Sequence, residues 1–192
     1  MKINEIIKAD LFRCAGTTSL TAFLHFLYSN PGFKFLFFFR LASQYSRKSL
    51  RGFIVYFWYK RYSIKYSFQI PISADLGCGI YLPHFGTIVV NSGSKIGQNC
   101  NLLQGVTIGN TKGGKNEGTP VIGNCVYIGP NAVIVGGVTI GDNVLIAPNT
   151  FVNFNVPENS IVIGNPGKII SRQNATENYI NNIVKNQDII SQ

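Results

Sequence analysis

Two histidines occur in this chain of 192 residues, and one of them interrupts a segment built for strand. The stretch "GIYLPHFGTIVV", residues 79–90, is apolar, β-branched and punctuated by glycine, yet His84 stands in its middle. An imidazole titrates near neutrality, so it can take a proton from a weak nucleophile such as an alcohol. Packed among apolar neighbours it would instead be structural, and the segment by itself allows both readings. The other residues suited to chemistry are dispersed. Cys14, Cys78, Cys100 and Cys125 form no close pair, which indicates neither a disulfide framework nor a zinc site and fits a reducing compartment. His25 falls in a helical segment, where a packed or helix-end place is expected.

The elements around His84 repeat. Every sixth residue from Ile96 is aliphatic: Ile96, Leu102 and Ile108, then Ile122, Ile128, Ile134, Ile140, Ile146 and Val152. Glycine follows at 97, 109, 123, 129 and 141. A period of six suits neither a 3.6-residue helix nor a simple two-sided sheet. It suits a parallel β-helix, in which each short strand buries one aliphatic side chain and a tight corner follows. Gly and Asn at such corners tolerate positive φ. The frame breaks between Ile108 and Ile122, fourteen residues where twelve would keep phase. The intervening "NTKGGKNEGTP" is polar and glycine-rich, so a protruding loop is expected over 110–120. Upstream, Leu76–Gly77 is out of step with Ile96. His84 lies between these two irregular places.

Residues 1–66 differ. They hold eleven Lys and Arg against Glu5 and Asp10, while the remainder carries six basic and six acidic side chains, so the whole +9 net charge sits in the first third. "TSLTAFLHFLY" reads as a helix capped near Thr17 or Thr18 and ended by "SNPG". "FKFLFFFRLASQYSRKS" and "RGFIVYFWYKRYSIKYS" read as two more. The beginning lacks the features of a secretory signal, and "LTAFLHFLY" is too short to span a bilayer, so a cytoplasmic protein is expected. The basic aromatic segment fits helical packing that builds an oligomer, or a peripheral membrane contact through residues 33–66. No recognised motif supports nucleic-acid binding. The division expected is a helical region 1–66, a β-helix 67–170, and a tail 171–192 that is partly helical around 176–186.

With "IGQNCNLLQGVTIGN", "PVIGNCVYIGPNAVIVGGVTIGDNVLIAPNTFV" and "VPENSIVIGNPGKII" in view, the chain resembles the hexapeptide-repeat acyltransferases. "GIYLPHFGTIVV" is similar to their serine O-acetyltransferase branch, and to relatives that acetylate bacterial surface sugars. The resemblance covers about residues 68–170 and, more weakly, 17–66, where "PGFKFLFFFRLAS" is similar to a helical segment of that branch. It implies a mainly β fold, a left-handed parallel β-helix with an N-terminal α-helical region and a short C-terminal helix. It further implies a homotrimer with acetyl-CoA in grooves between subunits, no metal, and His84 as the general base that activates an acceptor hydroxyl. A thioester is already activated, so bringing hydroxyl, base and acetyl carbonyl together suffices. Zinc chemistry known on the same fold needs three histidines, and the chain has two. Positions matching the family's acetyl-CoA contacts are Gly109, Gly129, Ala132, Ala147 and Pro148. Lys112, Lys115 and Lys168 are candidates for the phosphates, with Lys168 favoured by "GNPGK" at 164–168.

The departures from the serine branch concern charge. The carboxylate that orients the base falls on Gln69, and the acid immediately before it falls on Pro83. An Arg–His pair that holds the amino acid falls on Gly118 and Thr119, and an Asp of the helical region falls near Thr17. Serine's ammonium and carboxylate need charged partners, whereas a neutral sugar hydroxyl does not. The expectation is therefore a carbohydrate acceptor: an acetyl-CoA-dependent sugar O-acetyltransferase of capsule, O-antigen or exopolysaccharide synthesis. Serine O-acetyltransferase is the alternative, and a non-catalytic solenoid scaffold is third. Gln69 can accept from the ring N–H of His84 without supplying a negative charge; Glu117 of a neighbouring subunit, or a backbone carbonyl, is the other candidate to orient it.

Overall fold

The computed structural model describes residues 1–185. Four helices come first: α1 (Ile3–Ala15), α2 (Leu20–Ser29), α3 (Pro31–Gln44) and α4 (Leu50–Tyr66). The first is one that the sequence reading did not include. The cap of α2 is Ser19, whose hydroxyl accepts from the Ala22 N–H, rather than Thr17 or Thr18. "SNPG" both ends α2 and starts α3, since Asn30 caps the new helix by accepting from Phe33 N–H at 2.8 Å and Pro31 occupies its first turn.

The rest is a three-sided prism of short strands. Its first coil holds β1 (Phe68–Gln69) and β2 (Asp75–Leu76), and its second β3 (Ile88–Val90), β4 (Lys95–Ile96) and β5 (Asn101–Leu102). The third holds β6 (Thr107–Gly109), β7 (Val121–Ile122) and β8 (Tyr127–Ile128), and the fourth β9 (Val133–Val135), β10 (Thr139–Ile140) and β11 (Val144–Ile146). The last holds β12 (Phe151–Val152) and β13 (Ser160–Ile163), against which β14 (Lys168–Ser171) folds back antiparallel. The first face is β1-β3-β6-β9-β12, the second β2-β4-β7-β10, and the third β5-β8-β11-β13-β14. All pairings but the last are parallel, and the coil is a left-handed β-helix.

Every residue of the six-period row lies inside, none more than 3% exposed. A second buried row runs two residues ahead of it: Ser94, Cys100, Val106, Val126, Ala132, Val138, Val144 and Thr150. These are small or medium side chains, because two inward residues per side share a narrow triangular section. Burying each aliphatic contributes about 2–3 kcal/mol, and stacking keeps the row continuous. The helices close the first coil: Phe35, Phe39 and Tyr59 join Phe68 and Ile70 in the same core.

The tail corrects one expectation. Residues 173–179 form consecutive turns, with no short C-terminal helix among the described residues; the part of the expected helix beyond 185 lies outside them. Asn174, Asn178 and Asn182 all take positive φ, which a right-handed helix does not tolerate. The turns run back down one edge of the prism, from the last coil to the second. Arg172 N–H donates to Asn159 O, Thr176 to Asn143 Oδ1, and Val184 N–H to Asn99 Oδ1.

Candidate active site

His84 stands on a corner that is two residues too long. Register shows this: Val90 pairs with Ile108, eighteen residues on, but Leu76 pairs with Ile96 and Tyr81 with Asn101, twenty residues on. The extra pair therefore lies between Tyr81 and Val90. The long corner is tied down on both sides. Gly86 N–H donates to Tyr66 O and Ile88 N–H to Ser67 O, each at 3.1 Å, while Thr87 O accepts from Gly105 N–H of the next coil. At Gly86 φ is +139°, and a Cβ there would approach Gln104 Cβ to 3.1 Å, so the turn is both left-handed and close-packed. The His84 and Phe85 side chains consequently project outward, Phe85 with 68% of its surface exposed. The imidazole is not a packed core residue.

Helices hold the segment before it. Gly32, in the first turn of α3, lies so near the chain that a Cβ there would sit 2.0 Å from Leu82 O. Arg40 of α3 donates to Leu76 O at 2.7 Å and Gly77 O at 2.6 Å, and pairs with Asp10 of α1 at 2.9 Å. Asp10 in turn accepts from Ile80 N–H at 3.0 Å. Arg13 donates to Gly79 O and to Asn101 Oδ1; burial lowers its pKa. Three charged side chains thus fix the backbone from 76 to 80, four residues short of the imidazole. Sequence reading missed this set. Its signal was present in α1, where Asp10 and Arg13 interrupt an otherwise apolar face.

The edge that carries His84 continues up the prism. Asn131 N–H donates to Gln104 O, Asn149 N–H to Pro130 O and Phe151 N–H to Gly164 O. Four steps of about 4.8 Å carry it from His84 to the Gly164–Lys168 turn, a run of roughly 19 Å. Gly129, Ala147, Pro148 and Lys168 all lie along this run. Gly129 is needed by the coil itself, since a Cβ there would come within 2.8 Å of Pro148 N. Ala147 and Pro148 border a cavity of about 390 Å³ that opens on the third face, between Tyr127, Leu145, Ile163 and Tyr179 of the tail. Two expected contacts fall elsewhere. Ala132 is fully buried in the inner row, so its methyl group faces the core. Gly109 ends β6 at the opposite edge of the first face. Gln69 is exposed on β1, opposite Val89, and no hydrogen bond joins it to His84 among the described residues.

The inserted loop departs from the opposite edge of that face. Paired strands there are twenty-six residues apart (Ile108 with Ile134, Ile96 with Ile122), so the insertion is eight residues in a single side-to-side step, not two residues in a double one. It is closed by a Thr111–Gly118 bridge and folds up against later coils: Asn116 O accepts from Gly137 N–H, and its amide donates to Asn153 O.

Residues 119–153 match the family model described as bacterial transferase hexapeptide (six repeats). Serine acetyltransferase of Synechococcus elongatus is 35% identical over 106 residues, which cover 54% of this chain and 43% of that protein. The Helicobacter pylori enzyme is 30% identical over 104 residues, covering 54% and 61%. The chain spans about half the length of the curated relatives it matches. Among solved structures, Neisseria gonorrhoeae serine acetyltransferase in complex with serine superposes with a TM-score of 0.70 at 31% identity, over 88% of this chain and 69% of that one. The chain belongs to the serine acetyltransferase branch of the hexapeptide-repeat acyltransferases. Brucella abortus serine acetyltransferase in complex with coenzyme A is similar at 30% identity, with a TM-score of 0.70 over 89% and 67% of the two chains.

These findings overturn the expected carbohydrate acceptor. The relatives are serine acetyltransferases, and one neighbour holds serine itself, while nothing supports a surface-polysaccharide enzyme. Missing charges in the serine pocket, beside a histidine motif shared with sugar-acetylating relatives, do not reveal a sugar. In this chain the altered positions Pro83, Gly118 and Thr119 fall on two edges. Pro83 is on the histidine edge, whereas Gly118 and Thr119 are on the loop edge, where the Thr119 hydroxyl donates to Gly93 O at 2.9 Å. Thr17 is exposed in the link between α1 and α2. One face of the prism separates the two edges.

Proposed function

We propose that the protein transfers an acetyl group from acetyl-CoA to the hydroxyl of serine, with His84 as general base. The observation that carries this reading is the exposed imidazole on an overlong, doubly anchored corner, at the foot of the edge that also holds Gly129, Ala147, Pro148 and Lys168. An extended pantetheine arm laid along that edge would bring its thioester to the level of His84. The imidazole takes the hydroxyl proton as oxygen attacks the thioester carbonyl, and the thiolate leaves with that proton. Backbone N–H groups of the edge would stabilise the oxyanion. Lys168 would meet phosphate at the far end.

A homotrimer completes the site. Positions that match the family's acceptor-binding residues lie on two edges of one prism, and only another copy can bring the loop edge of one chain to the histidine edge of its neighbour. The same assembly gives an exposed base the walls that exclude water, and it is the route by which Glu117 could approach His84. The donor places the reaction in the cytoplasm. With Gln69, Pro83, Thr17 and Thr119 in place of charged groups, serine is held weakly, and its KM is high.

The test is serine-dependent release of CoA thiol from acetyl-CoA, for the natural chain and for His84→Ala. The substitution should lower kcat by about 10²–10⁴-fold while CoA binding persists. Equal turnover in the two proteins, or no serine-dependent release by either, would refute the assignment.

A further inference from the structure

α4 has two faces of different purpose. Gly52, Tyr59 and Tyr66, seven residues apart, are buried, Gly52 against Ser46 of the preceding link and the two tyrosines against α3 and the first coil. On the opposite side Leu50, Phe53, Ile54, Phe57 and Ile64 form one stripe at helical spacing, and they are 77%, 65%, 49%, 54% and 77% exposed. Arg61 falls within the stripe, Lys60 and Lys65 flank it on either side, and Arg47, Lys48 and Arg51 surround its start, all exposed. No Asp or Glu occurs from residue 11 to residue 74. Along one flank the surface stays aromatic. Trp58 stacks on Tyr62 at 5.6 Å, and Lys34 lies over the rings of both Tyr62 and Tyr28, the last residue of the exposed Leu20–Leu24–Tyr28 row on α2.

We propose that this face docks on an anionic lipid surface, α4 lying in the plane of the headgroups. An apolar stripe bordered by cations and by Trp and Tyr is what such an interface selects, and long basic side chains can reach phosphate while their stems stay in contact with acyl chains. The helix lies on the bilayer instead of crossing it: none of the described helices is long and apolar enough to span a membrane. Charge decides against a second copy meeting this face with its own. Stripe against stripe would set Lys60, Arg61 and Lys65 against the same cations, with no carboxylate in the segment to intervene. The structure also narrows the expected contact over 33–66, because Phe33, Phe35, Leu36 and Phe39 of α3 are buried.

The test is co-sedimentation of the full chain with phosphatidylcholine vesicles, with and without phosphatidylglycerol, at low and high salt. Oligomeric state is followed in parallel by sedimentation velocity. Binding is expected only with phosphatidylglycerol and should weaken as salt rises. Lys60→Glu with Arg61→Glu should reduce partitioning about 25-fold or more, and Phe57→Ser with Ile64→Ser about tenfold or more, both without change of assembly. Absence of binding by the natural chain, or binding indifferent to lipid charge, would overturn the proposal. So would dissociation of the oligomer in either variant, which would give the face to a neighbouring copy. Serine-dependent turnover in the absence of lipid should be unaffected, so this outcome is separable from that of the His84 experiment.

Discussion

Replacing Gly32 by Ala tests whether the helices set the position of the base. Two effects oppose each other. Gly32 lies in a helix at negative φ, so alanine there should stabilise α3 by about 1 kcal/mol through propensity. Its Cβ, however, would sit 2.0 Å from Leu82 O, a backbone atom that cannot rotate away. Ordinary contact begins at 3.4 Å, so the helix and the corner must separate by about 1.4 Å. The corner is the partner that yields at this point, because its anchors begin only at Gly86, beyond Leu82 and His84, whereas α3 is fixed by the buried Arg40–Asp10 pair and by Phe35 and Phe39. The displacement therefore falls on Leu82, two residues before His84. Misplacing a catalytic group by about 1 Å costs on the order of 10²-fold in rate. Steady-state CoA release should show kcat lowered by that factor. CoA binding should be kept, because Ala147, Pro148 and Lys168 are several coils away, and circular dichroism should show the chain folded. A folded Gly32→Ala protein whose kcat stays within about threefold would refute the idea that α3 positions the base.

Two further outcomes follow from burial. Ile128→Ala, at a fully buried position between Leu102 and Ile146, should cost about 3–5 kcal/mol in urea unfolding, because coil walls joined by hydrogen bonds cannot close on the cavity; a loss below about 1 kcal/mol would contradict that rigidity. Burial raises the thiols of Cys14 and Cys100 to about 12, and those of Cys78 and Cys125 upward as well. A raised thiol pKa keeps the unreactive neutral form as pH rises, so at pH 8.5 Cys100 stays almost wholly protonated, whereas an ordinary thiol is about half thiolate. Iodoacetamide should label these cysteines slowly until the chain unfolds, and rapid labelling of the folded protein would count against the packing.

The period-six row was legible because every coil asks the same thing of the same position, and Ile96 through Val152 answer alike. Even the lengthened corner was visible, as the two-residue slip between Leu76 and Ile96, although its meaning needed the register. The tail was misread for a physical reason. Thr176, Ile180 and Val184 are buried four residues apart, the spacing of a helix face, but Asn174, Asn178 and Asn182 turn left-handed between them. Period alone does not separate a helix from a chain of turns that lays every fourth residue on a prism. The acceptor was misread differently. Gln69, Pro83 and Thr119 showed which charges are missing, and a deficit at those positions bears on how tightly a substrate is held before it bears on which one is held. The prism explains why one chain could not settle this: Pro83 and Thr119 lie on separate edges, and in the proposed trimer what faces His84 would come from the copy standing opposite. Specificity in such a site belongs to the pair of edges, so substitutions at Thr119 should act on the KM for serine with little effect on the fold of the chain that carries them.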